Sequence, residues 1–396
     1  MDERQAGADA PLAWIADALA DLDRRDLLRS LRHHGSGADA WLELDSGRRV
    51  LHLCSNGYLG MATHPQVVAG AVAAAEQFGA GTGSARLVTG AQRAHRALEE
   101  ELADWKGTED ALLFSSGYLA NLGVLGALAG RGDTIVSDEL NHASIVDGCR
   151  LSRAEVRVYR HGDAEHAAAL LADAPGRRVL VTDGVFSMDG DVAPLPELCD
   201  VAERHAAAVV VDDAHGSGVL GPEGRGTVAD QGCEDRVHAL VATLSKSLGS
   251  QGGYVAGSSD LVAWLRNRAR SFVYDTSSAP AAVGAARAAL AVARAEPWRR
   301  ERALAHAQRL AAGLRRAGWE VPPVASPIVP VVVGGAGAAL DLMERLLEHD
   351  VLAVAIRPPT VPDGTARVRA TTMATHADQD IDHALAAFGT ARELAA

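Results

Sequence analysis

Aromatic residues, cysteines and long apolar runs are scarce in this chain. Phe, Trp and Tyr make up 4% of the 396 residues while hydrophobic residues reach 48%, so the core must be mostly aliphatic. The four cysteines are far apart and form no CxxC pair, which indicates free thiols in a reducing compartment and argues against a metal site of the zinc type. No apolar run reaches the ~18 residues of a membrane span. The acidic, polar first ten residues do not resemble a signal peptide, so we expect a cytoplasmic protein with no membrane partner.

The charge balance excludes a second class of function. The formal net charge is −13, and the chain has no basic run and no cluster of aromatic residues that could stack on bases. Such a surface is poorly suited to bind DNA or RNA. We therefore expect small-molecule substrates and no nucleic acid partner.

Strands and helices alternate from residue 93 onward, which predicts an α/β fold. Apolar strands are expected over 111–114, 134–137, 179–182, 208–211 and 239–242, with helices between them. Repeated β-α-β units of this kind are typical of a mainly parallel sheet with helices on both faces. The pattern predicts an N-terminal helix (11–32) and hairpin segment over 1–55, a large domain over 56–284 and a small α+β domain over 285–396.

Polar and ionisable residues follow nearly every predicted strand. They are Ser115 to Tyr118, Asp138 with Asn141 and His142, Asp183 with Ser187, Asp212 with His215, and Thr243 with Lys246. The carboxyl ends of parallel strands form the ligand crevice of an open α/β sheet. A single aspartate at such a place is more often a helix cap. Five convergent strand ends favour an enzyme.

Lys246 lies just past the apolar strand 239–242, among small residues that allow close approach of a ligand. A desolvated lysine at this edge is the type of nucleophile that bonds to a carbonyl cofactor. The alternative from these residues alone is a surface lysine in a Ser/Gly loop. The glycine-rich segment 79–84 is no dinucleotide loop, since it follows a helix and its third glycine is misplaced.

A lysine-bound pyridoxal phosphate (PLP) needs partners that this chain can supply. Asp212, at the end of a Val-rich strand, is suited to keep the pyridine nitrogen protonated. Asp213 points to the other side of the strand and is expected to be structural. His215 could contact the phenolic oxygen, and His142 could stack on the ring, with a helix-capping role as its alternative.

The phosphate and the substrate carboxylate need donors as well. Gly117 and Tyr118 lie between a strand and a helix, where helix N–H groups bind phosphate, and Thr243 adds a hydroxyl. Arg357 follows a strand in a stiff Pro-rich turn, and an arginine fork binds a carboxylate through two hydrogen bonds. A surface arginine in a rigid loop is the alternative for Arg357.

Eight motifs, in order along residues 25–385, together resemble the α-oxoamine synthase family. They are Asn56 to Gly60, Arg86 to Gly90, Phe114 to Tyr118, Asn141 to Ser144, Phe186 to Asp191, Asp212 to Gly216, Thr243 to Lys246 and Ile356 to Pro362. Each motif alone is modest, but the ordered set is highly specific. Gly57 stands where aspartate is common in that family.

The resemblance implies a fold-type I PLP enzyme that works as a homodimer with active sites at the subunit interface. For the cofactor, the resemblance implies that Lys246 holds PLP, Asp212 pairs with the pyridine nitrogen, His142 stacks on the ring, and His215 and Ser187 contact the phenolic oxygen side. It implies that Gly117, Tyr118 and Thr243 hold the phosphate, with Thr276 from the other subunit. For the substrates, it implies that Arg357 binds the amino-acid carboxylate, Thr360 lies near the substrate, and Arg29 and Asn56 line the acyl end.

The family's reaction is a decarboxylative condensation of an amino acid with an acyl thioester. Lys246, once displaced from PLP, would remove the Cα proton, and His215 or a neighbour would polarise the new ketone. The motif Arg86 to Gly90 favours the branch that uses L-alanine and a pimeloyl thioester. Members that use glycine or serine remain alternatives, as does a non-catalytic fold-type I protein, although such proteins often lose the lysine.

Overall fold

The computed structural model of the chain describes residues 11–393. The first ten residues, where no signal peptide is expected, lie outside this range. The strands are β1 (Trp41–Glu43), β2 (Arg49–His52), β3 (Asp110–Phe114), β4 (Thr134–Asp138), β5 (Glu155–Tyr159), β6 (Arg178–Asp183), β7 (Ala207–Asp212), β8 (Ala239–Thr243), β9 (Gly253–Gly257), β10 (Ile328–Gly334), β11 (Val351–Leu352), β12 (Val354–Ile356) and β13 (Ala366–Thr371).

The helices lie before, between and after these strands along the chain. They are α1 (Trp14–Arg24), α2 (Pro65–Phe78), α3 (Arg93–Lys106), α4 (Gly117–Leu128), α5 (Ala143–Ser152), α6 (Ala164–Leu171), α7 (Leu195–Arg204), α8 (Thr227–Asp230), α9 (Ser259–Arg268), α10 (Arg270–Val273), α11 (Pro280–Ala295), α12 (Trp298–Arg316), α13 (Ala336–Glu348) and α14 (Asp378–Glu393). Over residues 11–393, none of them is both long and apolar enough to span a bilayer.

Seven strands form one sheet in the order β3-β9-β8-β7-β6-β4-β5. β9 runs antiparallel to both of its neighbours, and the remaining pairs are parallel. The expected mainly parallel sheet is therefore confirmed, and so is the seven-stranded type that the resemblance to a fold-type I enzyme implies. Its parallel strands all end at one edge, and the loops that leave this edge carry the polar residues described above.

Both faces of this sheet are buried, which explains why its central strands are continuously apolar. Along β7, Val209 and Val211 belong to a core shared with α3, α7 and α11, whereas Val210 faces a second core shared with α4, α5 and α9. Alternate side chains of a strand point to opposite faces, so one short apolar segment serves two helix layers.

Two small sheets lie outside the large one. One has the order β10-β13-β12, and the other has the order β1-β2-β11, in which β2 pairs in parallel with Val351 and Leu352. A third core fills the space between these strands and α12, α13 and α14. The N-terminal hairpin thus joins a strand from the C-terminal part of the chain. The division into 1–55, 56–284 and 285–396 stays a prediction.

The structure corrects three details of the sequence prediction. The helix expected over 11–32 is shorter, because α1 ends at Arg24 and Asp26 adopts a positive φ of 55° that a helix does not tolerate. In the small α+β domain the apolar run over 352–356 predicts a single strand, but the structure divides it into β11 and β12, which pair in different sheets. β5 and β9 were not anticipated.

A buried ion pair lies beneath the turn that follows β7. The ammonium of Lys106, at the end of α3, is 3.6 Å from Asp213 and donates to the Ser217 hydroxyl at 2.7 Å. The Asp213 carboxylate also accepts from the Thr227 N–H at 3.1 Å and from the Ser217 hydroxyl at 2.9 Å. Burial lowers the pKa of Lys106 to about 8 and raises that of Asp213, while each charge opposes the shift of the other.

Helices α2 and α11 touch through two glycines. A Cβ placed on Gly284 would collide with the carbonyl oxygen of Gly70 and would lie 2.5 Å from the Ala74 Cβ. A Cβ on Gly70 would in turn lie 2.8 Å from the Gly284 carbonyl oxygen. The backbones of the two helices can approach this closely only because neither position has a side chain.

We expect Lys106→Met to lower the free energy of unfolding of the cofactor-free chain by about 3–5 kcal/mol, because it leaves Asp213 buried and uncompensated. Urea unfolding measures this. The double variant Lys106→Met/Asp213→Asn removes both charges and should recover much of the loss. A single variant within about 1 kcal/mol of the wild type, the usual scatter of mild substitutions, would contradict the importance of the pair.

We expect Gly284→Ala to destabilise the chain by about 1–3 kcal/mol, since the methyl group overpacks the contact with Gly70. Gly389 in α14 is the matched control, because a Cβ there meets no atom within 4 Å. Gly389→Ala should stabilise the helix by about 0.5–1 kcal/mol through backbone entropy alone. The same shift in both variants, measured by urea unfolding, would refute the close helix contact.

Candidate active site

Most of the predicted residues meet at the carboxyl end of the seven-stranded sheet. Asp183 and Asp212 end the neighbouring strands β6 and β7 and are aligned in register. Lys246 follows β8 after a short turn, and His142 precedes α5 after β4. The site is therefore assembled from the ends of four adjacent strands, as the topology of a parallel sheet dictates.

The Lys246 amine forms a short hydrogen bond with the His215 ring. Its Nζ lies 2.8 Å from the His215 Nε2. Burial lowers the pKa of Lys246 to about 8, against the charges of Asp212 and Asp183, which oppose the shift. Burial also lowers the pKa of His215 well below its usual value, and the charge of Lys246 adds to that shift. A lysine with this pKa has a substantial neutral, nucleophilic fraction near neutral pH.

The composition leaves Lys246 as the one side-chain amine free to react. The chain has only two lysines, Lys106 and Lys246. Lys106 is fully buried on the other side of β7 and is engaged with Asp213 and Ser217. The structure does not favour the alternative of a surface lysine in a Ser/Gly loop, since Lys246 is half-buried at the sheet edge and its amine lies 2.8 Å from the buried His215.

Asp212 and His142 are held by hydrogen bonds that leave other atoms free. The Asp212 carboxylate accepts from the Ala214 N–H at 3.0 Å and from the Asn121 amide at 2.5 Å. An ionised carboxylate offers about four lone-pair sites, so acceptor capacity remains for a ligand N–H. His142 caps α5 by accepting the Ser144 N–H at 3.2 Å, and its main-chain N–H donates to Asp183 at 3.0 Å.

The capping role of His142 does not exclude a role in the site, because only Nδ1 is used for the cap. The residue is solvent-exposed on one side, yet desolvation by the surrounding protein lowers the pKa of the ring. Burial likewise raises the pKa of Asp183 well above its usual range, and the neighbouring charge of Asp212 adds to that effect.

The N-terminus of α4 forms a cradle of backbone donors. Ser116 caps the helix by accepting the Leu119 N–H at 3.1 Å, and Gly117 is its first residue. A Cβ on Gly117 would lie 3.3 Å from the Thr243 Cβ, so the helix end approaches β8 closely. The Thr243 hydroxyl lies 2.7 Å from that of Ser245. Free N–H groups beside two hydroxyls are suited to a phosphate.

These residues fit PLP. A buried amine with a lowered pKa can bond to the aldehyde, the Asp212 carboxylate can accept the pyridinium N–H, and the glycine-lined helix end can receive the phosphate. Tyr118, the second residue of that helix end, is partly exposed, and its hydroxyl donates to Asp147.

A second group of predicted residues meets where the segment after α1 crosses the turn after β12. Arg29 donates to the Thr360 hydroxyl at 3.2 Å, and Arg357 donates to the Asp26 carbonyl oxygen. Burial lowers the pKa of Arg357, and the nearby charge of Arg29 lowers it further. Two guanidinium groups that repel each other in this way can be stabilised by an anionic ligand.

Arg369 is a residue of the site that the sequence interpretation missed. It is buried in β13, where it donates to the Ser187 carbonyl oxygen at 2.6 Å and to the Asn56 side chain at 3.0 Å. Its charge lowers the pKa of His215. The Tyr58 hydroxyl, 3.4 Å from Arg369, lies 2.7 Å from the His215 Nδ1. Asn56 and Ser187 thus connect to the lysine through Arg369, Tyr58 and His215.

Thr276 is placed apart from this cluster. It is exposed, forms an antiparallel bridge with Ala85, and accepts the Ser115 hydroxyl on its carbonyl oxygen at 3.0 Å. Within residues 11–393 no side-chain hydrogen bond joins it to Gly117, Thr243 or Lys246. A role from the other subunit, as the resemblance implies, stays a prediction.

Comparisons with known proteins agree on one family. The model of the aminotransferase class I and II family matches residues 48–388. An 8-amino-7-oxononanoate synthase of Anaeromyxobacter dehalogenans (strain 2CP-1 / ATCC BAA-258) is 51% identical over 382 residues, 96% of each chain. That of Methylococcus capsulatus (strain ATCC 33009 / NCIMB 11132 / Bath) is 49% identical and covers 95% of this chain and 97% of its own.

A solved structure extends the comparison to the fold. A serine palmitoyltransferase variant from S. paucimobilis, with a bound PLP–myriocin aldimine, superposes with a TM-score of 0.91 at 31% identity, over 97% of this chain and 98% of its own. The fold is that of a fold-type I PLP transferase, and the chain is a PLP-dependent acyltransferase. The chain belongs to the aminotransferase class I and II family and, within it, to the 8-amino-7-oxononanoate synthases, members of the α-oxoamine synthase group.

Proposed function

We propose that this chain condenses L-alanine with a pimeloyl thioester, carried by coenzyme A or a carrier protein, to give 8-amino-7-oxononanoate, CO2 and the free thiol. A new carbon–carbon bond joins the alanine Cα to the acyl carbon, the carbon–sulfur bond of the thioester breaks, and the alanine carboxylate leaves as CO2. The observation that supports this reaction class best is the buried amine of Lys246, 2.8 Å from a neutral His215 and close to the charge of Asp212.

The cofactor, when bound, supplies an electron sink that stabilises negative charge at the alanine Cα. Asp212, which accepts from the Ala214 N–H and the Asn121 amide, would accept the pyridine N–H and so keep that nitrogen protonated. Gly117, Tyr118 and Thr243 would hold the phosphate, and His142 would stack on the ring. These assignments are supported by the fit described above.

Lys246 and His215 handle the protons of the reaction. With a pKa of about 8, the Lys246 amine can both take the Cα proton and return it near neutral pH. The imidazole of His215, whose pKa burial lowers well below its usual value, can accept a hydrogen bond from the Lys246 amine across their 2.8 Å contact and so orient it. The Tyr58 hydroxyl, at 2.7 Å from Nδ1, keeps the imidazole oriented. Ser187, together with His215, would contact the phenolic-oxygen side of the cofactor.

The substrate carboxylate has two candidate binders. Arg357 was expected from the sequence, and Arg369 is supported by its position, because its charge acts on both Lys246 and His215. We assign the amino-acid carboxylate to Arg357 and Arg369 together. Asn56, which accepts from Arg369 at 3.0 Å, completes that surface.

Arg29, which donates to the Thr360 hydroxyl at 3.2 Å, is our candidate for the acyl end. Its guanidinium favours an acyl chain with an anionic end, such as the free carboxylate of a pimeloyl group. We further propose a cytoplasmic homodimer with the active site at the subunit interface, in which Thr276 reaches the phosphate of the partner's site.

Serine with a long acyl chain is the second candidate, because a serine palmitoyltransferase has the same fold with a TM-score of 0.91. Its identity to this chain is 31% over 97% of this chain, against 51% over 96% for an 8-amino-7-oxononanoate synthase. Glycine is a third candidate for the amino-acid substrate, because the contacts assigned above to the carboxylate and the Cα involve no side chain of the amino acid.

The decisive experiment incubates PLP-loaded protein with pimeloyl-CoA and either L-alanine, glycine or L-serine, and measures the products by mass spectrometry. We expect a product only with L-alanine, at the mass of 8-amino-7-oxononanoate. Lys246→Ala is the control and should abolish turnover, because it removes the amine that binds the cofactor and moves the Cα proton.

A product formed only with glycine or serine would contradict the alanine assignment and keep the reaction class. Full activity of Lys246→Ala would overturn the mechanism itself. Pimeloyl linked to a carrier protein is tested in parallel, so that an unsuitable carrier is not mistaken for a wrong acyl group.

A further inference from the structure

Asn121 lies one turn into α4 and bridges two parts of the active site that the sequence interpretation treated separately. Its side-chain Nδ2 is 2.5 Å from the Asp212 Oδ2 and 2.9 Å from the Ser144 Oγ. The residue has no solvent exposure. One amide group carries two N–H bonds, so each N–H has one of these acceptors.

The orientation of this amide is fixed by its surroundings. If the amide were rotated, its oxygen would face a carboxylate oxygen of Asp212 at 2.5 Å, and two acceptors repel at that distance. In the observed orientation the Asn121 Oδ1 is buried and has no hydrogen-bond partner in the part of the chain that the structure describes. The fold therefore leaves an acceptor unsatisfied in order to direct both N–H groups at Asp212 and Ser144.

The hydrogen bonds continue from Ser144 to His142 in one direction. The Ser144 main-chain N–H can only donate, and it points at the His142 Nδ1 at 3.2 Å, so Nδ1 carries no proton. The Ser144 hydroxyl, at 2.7 Å from the same nitrogen, must then donate to it and accept from Asn121. An imidazole whose Nδ1 accepts hydrogen bonds carries its proton on Nε2.

We propose that Asn121 is a positioning residue for the cofactor: it keeps the negative charge on Asp212 and the pyridine nitrogen protonated, and through the Ser144 hydroxyl it reinforces the Nε2–H tautomer of His142 that the Ser144 main-chain N–H selects. This inference rests on the proposed PLP chemistry. Hydrogen bonds donated to a carboxylate stabilise its charged form, so the shared proton stays on the pyridine nitrogen. The same helix begins at Gly117, so α4 positions the phosphate, the ring nitrogen and the ring face from one rigid element.

The first test replaces Asn121 with leucine, which removes both N–H groups at similar size, and loads the variant with PLP labelled with ¹⁵N in the ring. The chemical shift of that nitrogen reports its protonation and requires no turnover. We expect the wild type to show a protonated nitrogen and Asn121→Leu to show a largely neutral one. We also expect kcat to fall about 100-fold with a much smaller change in KM for the amino acid.

Two further variants keep the test decisive if leucine impairs folding. Asn121→Ala removes the same N–H groups without added bulk and is read by the same nitrogen signal. Ser144→Ala breaks only the connection to His142, so it should leave the pyridine nitrogen protonated. In cofactor-free protein, ¹⁵N-histidine spectra, with His142→Gln used for assignment, should keep the Nε2–H tautomer at His142 in this variant, because the main-chain N–H of residue 144 still donates to Nδ1, and should show a changed Nδ1 shift because the hydroxyl donor is lost.

Thr134→Val is the matched control for a purely structural effect. Thr134 is buried at the opposite end of β4 and donates one hydrogen bond to the Pro175 carbonyl oxygen at 3.0 Å. It should lose stability in urea but leave the nitrogen signal and the ratio of kcat to KM unchanged. A protonated pyridine nitrogen in Asn121→Leu and Asn121→Ala would overturn the proposal, whatever substrates the enzyme uses.

Discussion

Two consecutive aspartates at the end of β7 lie at the centre of this molecule. Asp212 and Asp213 point to opposite faces of the strand, and each acts on one of the chain's two lysines. Asp213 fixes Lys106 in a buried ion pair under the turn, and Asp212 faces the reactive amine of Lys246. The Lys106–Asp213 ion pair thus anchors the turn that carries His215 on one side of the strand. On the other side, Asp212 belongs to the candidate active site.

The environment of Lys246 depends on a balance between burial and charge. Burial alone would lower its pKa further, and the carboxylates of Asp212 and Asp183 limit the shift so that the amine titrates near 8. A neutral amine is needed for bonding to an aldehyde, and a protonated one for returning a proton. The aliphatic core on both sides of the sheet supplies the low-dielectric surroundings in which this balance is sensitive to single side chains.

The sequence predicts the sheet and its reactive edge because both follow local rules. Apolar strands covered on both faces give continuous runs, and the residues just after them must meet at one edge, which places Asp212, His142 and Lys246 together. β9 escaped prediction because its glycine-bounded sequence, GYVAG, reads as a loop. β5 escaped because its half-exposed EVRVY lies at the sheet edge, where apolar continuity is not required.

Arg369 and Asn121 could not be assigned in this way, because they lie inside β13 and α4, whose patterns indicate only core. Tyr58 lies in a turn, and its contact with His215 depends on the tertiary fold. Arg369 did leave a signal, since a buried strand with arginines at two alternate positions, Arg367 and Arg369, needs a partner for each charge. Asn121 gave no such signal in the sequence. The role of a single asparagine in an apolar helix is evident only once the fold places Asp212 and Ser144 beside it.

The central claim, that Lys246 is the amine that bonds to the cofactor, has one direct test. Cofactor-free protein is incubated with PLP across a pH series, the bond is reduced with borohydride, and the labelled peptide is identified by mass spectrometry. The account predicts about one label per chain on Lys246, formed faster as the pH rises toward and above 8, where the amine is neutral. A label on Lys106, or none on Lys246 at any pH, would contradict it.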